Sequence, residues 1–227
     1  MGTALVVENS PHWHLGRIEA WLADTGLEPV VVRPYDGDSL DASGHAAIIA
    51  LGGGRGVDWT PELTKLLRTA VAEHTPTLAF CSSARALATD FGGVVTPVER
   101  FAPGPRLVAR RDAAADDPLF GLAPMALDVV WWRHEDLTEL PPEAQLLGAS
   151  PHGVPEIFRI GDRAWGIQSH IEFDSTMVVK LGGEEELGQR VDMIADYIDQ
   201  TWRPIIARFT ALATGRVAGT PLPILGQ

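Results

Sequence analysis

The chain has 227 residues, 45% of them hydrophobic and 21% charged, and carries a formal net charge of −12. That length suits one substantial core, and the acidity argues against nucleic acid or an anionic membrane as partner, since both recruit basic surface. A single cysteine excludes an internal disulfide, so the fold needs no oxidising compartment.

The start, "MGTALVVENS", lacks a basic segment followed by a long apolar one, and Val6 stands where a myristoylation signal wants Ser or Thr. No apolar run approaches the roughly 20 residues of a membrane helix. The cytoplasm is therefore expected. "ALVVEN" reads as a first strand, and Leu15, Ile18 and Leu22 share a helical face that stops at Gly26. "PVVVRP" is a second strand and "HAAIIALGGG" a third that ends in glycines. Leu63, Leu66, Leu67, Ala70 and Val71 keep helical spacing, with Thr60 as N-cap and Pro61 at the first helical position. "TPTLAF" is a fourth, buried strand. After Cys81, residues Ala84, Leu87, Ala88 and Phe91 form another helical face, closed by Gly92-Gly93. Continuous apolar strands between amphipathic helices predict a doubly wound, mostly parallel α/β sheet with helices on both faces.

The middle changes character. "GVVTPVE", "PRLVARR" and "LDVVWWRHE" read as shorter strands, and "EIFRIGDRAWGIQSH" as a hairpin turning at Gly161-Asp162. One long helix follows, carrying Leu187, Val191, Ile194, Ile198, Ile205, Phe209 and Leu212, with Pro204 kinking or dividing it. Residues 1–227 are expected to form a single domain, with 213–227 a loosely held tail.

Cys81 has two readings. A lone cysteine closing an apolar strand is a common buried hydrophobe. It also sits where strand four hands over to a helix, at the carboxyl edge where open α/β sheets bind ligands. Its neighbours Ala79, Ser82, Ser83 and Ala84 are small, as a sharp turn exposing a nucleophile requires, and the helix dipole there favours thiolate. A thiolate needs a base and an orienter. "GIQSHIEFD" offers His170 and Glu172 on one face of a strand, or merely a surface histidine near a glutamate. Gly52, Gly53 and Gly54 in "LGGGRG" supply bare backbone N–H groups for an oxyanion, or a turn that is glycine-rich for steric reasons. Arg85 is a carboxylate-binding fork for a substrate, a solvated helix residue, or a partner of Glu172 or Asp174. His12, Trp13 and His14 border the same edge, while Trp131 and Trp132 read as packing or as a cleft wall. No metal-ligand spacing is present, and no cofactor is expected.

In this order, "ALGGGRG", "AFCSS" and "QSHIE" resemble the class I glutamine amidotransferases, particularly relatives of the GMP synthase amidotransferase domain that stand alone. "WWRHEDLTELP" looks like that family's Ser-His-x-Asp segment, and the resemblance spans roughly residues 4 to 200. It implies a flavodoxin-like sheet and a Cys81-His170-Glu172 triad. Cys81 would form a γ-glutamyl thioester, His170 would shuttle the proton, and the N–H groups of Gly53 and Ser82 would form the oxyanion hole. Gly52, Gly54, Arg85 and His134 would lie beside a small amide substrate, glutamine or a γ-glutamyl compound. Ammonia would pass to a separate synthetase in trans, as no ATP-binding domain is read here, or the chain would hydrolyse a γ-glutamyl or related small amide alone, the version toward which Arg85 leans. Three departures stand out: Ala79 and Ser83 replace elbow glycines, Arg85 replaces a glutamine of the substrate pocket, and Ile171 replaces a proline. Two other readings remain open. One is a non-catalytic binding or regulatory subunit. The other is a different cysteine enzyme in which a first-strand carboxylate, here Glu8, meets the thiol.

Overall fold

The computed structural model describes residues 2–53 and 60–216. The apolar runs form strands β1 (Gly2–Asn9), β2 (Leu27–Val32), β3 (Ala47–Gly53) and β4 (Thr77–Phe80), joined by helices α1 (Arg17–Thr25), α2 (Thr60–Ala72) and, after β4, α3 (Ser82–Asp90). Thr60, expected as the cap of α2, is its first residue. These four strands pair in parallel in the order β2-β1-β3-β4. Period-two alternation then sorts their side chains between two cores. Ala4, Val6, Ile49, Leu51, Leu78 and Phe80 face α1 and a C-terminal helix, while Leu5, Val7, Ile48, Ala50 and Ala79 face α2 and α3. Leu15 joins the first core from the loop ahead of α1 rather than from the helix itself.

The chain continues through β5 (Val94–Pro97), β6 (Gly104–Arg110), β7 (Ala126–Trp131), β8 (Glu135–Glu139), β9 (Gln145–Ala149), β10 (Pro155–Ile160) and β11 (Ala164–Ile167). β11 lies parallel beside β4, and β10, β9, β6 and β7 follow it antiparallel, so the nine-stranded sheet is mixed. The β10–β11 hairpin turns at Gly161, as its sequence indicates, with φ 61°. Two corrections apply in this half. "LDVVWWRHE" is not one strand: β7 ends at Trp131, and β8 leaves to pair with β5 in a separate two-stranded sheet. β9, "QLLGA", escapes the sequence reading, because its run of five residues is short and carries little alternation.

The far edge of the sheet does not stay open. Beyond β11, His170 and Val130 of β7 exchange both backbone hydrogen bonds, each 2.8 Å long, so β11, β10, β9, β6 and β7 close into a ring.

The C-terminal region is three helices, not one: α4 (Ser175–Lys180), α5 (Glu185–Asp192) and α6 (Ala195–Ala213). The break falls at Met193–Ile194, and α6 runs through Pro204. A mid-helix proline forfeits a backbone hydrogen bond, but Ile198, Trp202, Ile205, Ile206 and Phe209 bury α6 on both sides of it. Of the expected tail, Ala213 ends α6, Thr214 donates its hydroxyl to Thr210 O (2.8 Å), and Arg216 Nη1 donates to Thr25 O (3.1 Å). Residues 217–227 lie outside the described residues.

Candidate active site

Cys81 is the hinge between β4 and α3. Its N–H continues the strand ladder to Ile167 O (2.8 Å), while its own carbonyl accepts the first helical bond from Arg85 N (3.0 Å). Serving both elements forces φ 50° and ψ −114°, a left-handed backbone that a residue with a Cβ adopts at a cost of about 1–3 kcal/mol. The surroundings keep the turn tight. A side chain at Gly52 would collide with the Trp13 ring and approach the Cys81 Cβ to 3.1 Å, and one at Gly53 would strike Asn9. Both departures from the glycine elbow are absorbed. Ala79 is fully buried between Ala50 of β3 and Gly166 of β11. Ser83 turns its hydroxyl to Leu51 O (2.6 Å) and accepts from Asn9 Nδ2 (3.2 Å), which itself donates to Leu51 O (2.8 Å).

The sequence expectation put His170 and Glu172 in a strand, but β11 stops at Ile167. They lie in the segment that crosses to β7, and ring closure brings it over Cys81. Glu172 Oε1 accepts from His170 Nδ1 at 2.7 Å, and Oε2 accepts from Ile171 N at 2.9 Å. The carboxylate thus fixes the imidazole's tautomer. Closure also aims the Trp132 carbonyl at the pair: it lies 3.3 Å from His170 Nε2 and 3.9 Å from the Cys81 Sγ. Phe173 stacks on the imidazole (4.1 Å, 23°) and Trp13 meets it edge-on (5.1 Å, 87°). Burial pushes the Cys81 thiol up, but the His170 imidazolium and then the Arg85 guanidinium outweigh it, bringing the thiol down to about 7. Burial works against the His170 cation too, yet Glu172 and the Cys81 thiolate raise it to about 10. The arrangement favours a thiolate–imidazolium pair.

Arg85 pairs with neither Glu172 nor Asp174, and it is not solvated. Glu172 is held as above, and Asp174 caps α4 by accepting from Met177 N (2.7 Å). Arg85 is buried with Nη1 and Nη2 each 3.8 Å from the Cys81 Sγ, and its Nε is 3.9 Å from Glu135. Ser82 opens α3, where N–H groups have no partner within the helix. Gly53 ends β3, and Gly54 lies outside the described residues. His134 is exposed and stacks on Phe101 (4.2 Å, 16°), at a cleft of about 430 Å³ that also takes in Trp132, Gly183, Glu184 and Arg190. Of the other edge residues, Trp13 meets the His170 ring, while His12 is exposed. Glu8 is engaged away from the thiol by Arg33 Nε (2.9 Å).

Behind the Cys81, His170 and Glu172 cluster lies a network the sequence did not disclose. Arg133 forms a two-pronged pair with buried Glu156 (2.9 and 2.5 Å) and also binds Asp136 (2.5 Å), while the Ser169 hydroxyl donates to Glu156 (2.5 Å). Gln168 donates to Pro155 O and accepts from Leu137 N (2.8 Å). Only the spacing of Arg133 from Asp136 hinted at a pair; the partner on β10 is 23 residues away.

No family model matches the chain. Over 146 residues it is 33% identical to the glutamine-hydrolysing GMP synthase of Thermomicrobium roseum, a match covering 63% of this chain and 27% of that protein. The chain therefore spans about a quarter of that relative's length. Among solved structures, a Thermotoga maritima glutamine amidotransferase superposes with a TM-score of 0.79 at 17% identity, over 92% of this chain and 98% of the other. One from Methylobacillus flagellatus gives 0.77 at 22% identity, over 93% and 95%. A candidate component of a GMP synthase from Thermoplasma acidophilum gives 0.64 at 20% identity, over 95% of each chain. Among the described residues no helix is long and apolar enough to cross a membrane. The chain is thus similar in sequence, over 146 residues, to a glutamine-hydrolysing GMP synthase, and it shares the α/β fold of solved glutamine amidotransferases.

Proposed function

We propose that the chain is a thiol amidohydrolase acting on glutamine, or on a related γ-glutamyl or small amide, through Cys81, His170 and Glu172. The observation that carries this reading is the left-handed Cys81 at the start of α3, electrostatically coupled to an imidazole whose far nitrogen is held by Glu172 at 2.7 Å. The thiolate attacks the amide carbonyl, and the oxygen's developing charge is met by the N–H groups of Gly53 and Ser82. His170 gives its Nε2 proton to the departing nitrogen, and ammonia leaves. Neutral His170 then takes a proton from the water that hydrolyses the thioester. Gly52 and His134 border the bound amide; Gly54, expected beside it, lies outside the described residues. A synthetase acting in trans is a fitting recipient of the ammonia, given the likeness to a GMP synthase.

One observation favours a second reading, a non-catalytic regulatory subunit: Cys81, His170 and Glu172 are 1%, 0% and 1% exposed. Ammonia and glutamate release from L-glutamine, with Cys81→Ala as control, separates the two. Release that disappears in Cys81→Ala supports the hydrolase. Release that survives in the variant removes Cys81 from the chemistry. No release from glutamine or γ-glutamyl amides, alone or with a synthetase, supports the regulatory reading.

A further inference from the structure

The hydrolytic scheme leaves Arg85 without a task, although it is the side chain nearest the sulfur on α3. Four residues along a helix bring it back over Cys81, and both terminal nitrogens lie at the same 3.8 Å from Sγ. The open side of the fork, where a substrate carboxylate would dock, is occupied by the sulfur. Nε looks the other way, toward Glu135 at 3.9 Å, and the side chain is only 10% exposed. A guanidinium is always charged, and burying one without an anion is costly.

We infer that Arg85 is a second cation of the nucleophile, a fork that holds the Cys81 sulfur as thiolate alongside His170. The inference rests on Cys81 being the nucleophile. Among the described residues, the charged groups around the sulfur are His170 from the segment after β11, with Glu172 behind it, and Arg85 from α3, with Glu135 of β8 behind it. The neighbours from β3 and from the loop after β1, Gly52 and Trp13, are neutral.

Two cations divide the work across the cycle. When sulfur gives its electron pair to the carbonyl carbon, the C=O π pair moves to oxygen, then returns as the C–N bond breaks. The nitrogen leaves with the His170 proton. Sulfur is now neutral in the thioester, and Arg85 retains Glu135 as a counter-charge. When water adds and the C–S bond breaks, the pair returns to sulfur while His170 holds the water's proton. The fork then receives the leaving thiolate. Arg85 therefore assists both attack and departure of sulfur, a role a neutral residue at this position cannot fill.

Cys81 is the only cysteine of the chain, so ultraviolet thiolate absorbance, taken as the difference from Cys81→Ala, reports it alone. Arg85→Gln should titrate at least about one pH unit higher than the parent, as removal of an opposite charge at this range requires. Arg85→Lys should fall between. The double variant with His170→Gln should titrate higher than either single one. An Arg85→Gln thiol that titrates with the parent, in a protein of unchanged near-ultraviolet circular dichroism, overturns the inference. Should Arg85→Gln fail to fold, Glu135→Gln should lower the thiol pKa by freeing the fork; no change there or in Arg85→Lys overturns it equally. Because the titration uses no substrate, a shifted thiol without amide hydrolysis would sink the proposed activity alone. Hydrolysis without a shift would sink only the role of Arg85.

Discussion

Gly16 packs against the carbonyl of Glu172, with φ 52° and no room for a Cβ between them. Its N–H donates to His14 Nδ1 (3.1 Å), and Arg17 Nη2 donates to Phe173 O (2.8 Å), so the loop after β1 is clamped to the His170–Phe173 segment. Gly16→Ala combines a left-handed backbone with a steric conflict. It should lower unfolding free energy by about 2–4 kcal/mol, read by urea denaturation. A change below about 0.5 kcal/mol, the range of an ordinary surface substitution, would show that the loop is free to move aside.

The pH dependence of hydrolysis follows from the two groups that share the sulfur. The productive form needs Cys81 ionised, above about 7, and His170 protonated, below about 10. The rate with limiting substrate should rise with pH through the first value and fall through the second. A single rising limb would mean that His170 acts as a neutral base.

The same pair governs stability, with opposite signs. The Cys81 thiol is depressed from 9.0 to about 7, so its contribution is present above 9.0 and lost as pH falls through about 7. His170 is raised from 6.5 to about 10, so its contribution is present below 6.5 and lost as pH rises through about 10. Between the two thiol values the slopes cancel, and from pH 9.0 toward 10 only the loss remains. Thermal unfolding midpoints should therefore be level across the first window and decline in the second. A steady rise across both would contradict the assignment.

Glu172→Gln keeps the shape of the side chain but removes the charge that raises His170 and selects its tautomer. Hydrolysis should drop by about 10²–10⁴-fold, by analogy with loss of the orienting carboxylate in other triads. The Cys81 thiol should become less acidic at the same time, a shift that thiol titration would detect. Retention of full activity would reassign the carboxylate to a structural role.

Much of this was legible in the sequence, and the limits have physical causes. Val, Ile and Ala runs bounded by glycines defined the parallel half, because strands buried on both faces need continuous apolar residues. The order of Cys81, His170 and Glu172 was readable because their side chains announce chemistry. Trp132 draws attention in the sequence only for its ring, whereas its backbone carbonyl faces the site, and a carbonyl carries no residue identity. Helical spacing put Arg85 on the face of Cys81, but whether it turns inward or outward depends on Glu135, 50 residues away in sequence. The helix boundary at Met193 escaped for a related reason: Asp192 Oδ1 accepts from Ser175 N (3.1 Å), and this tertiary bond ties the end of α5 to the start of α4.

The Arg133–Glu156 pair is buried on both sides, at 2% and 0% side-chain exposure. Arg133→Met alone should cost about 3–5 kcal/mol by stranding the carboxylate, whereas Arg133→Met with Glu156→Leu should recover much of that loss. Denaturant unfolding of the two singles and the double closes the cycle. Additive losses would mean that the pair is not coupled.

The ring joining Val130 to His170 also sets a sequence of events. The Cys81 turn is built from β3, β4 and α3, near one another along the chain, and is tied to β11 at Ile167 O, whereas His170 is seated over it only when residues 130 and 170 meet. Contacts between distant residues require loop closure first and tend to form late in folding. A nascent or partly unfolded chain therefore holds its thiol without the imidazole that ionises it. A chain that loses that stitch keeps Arg85 beside the sulfur but lacks the imidazole that serves it as acid and base.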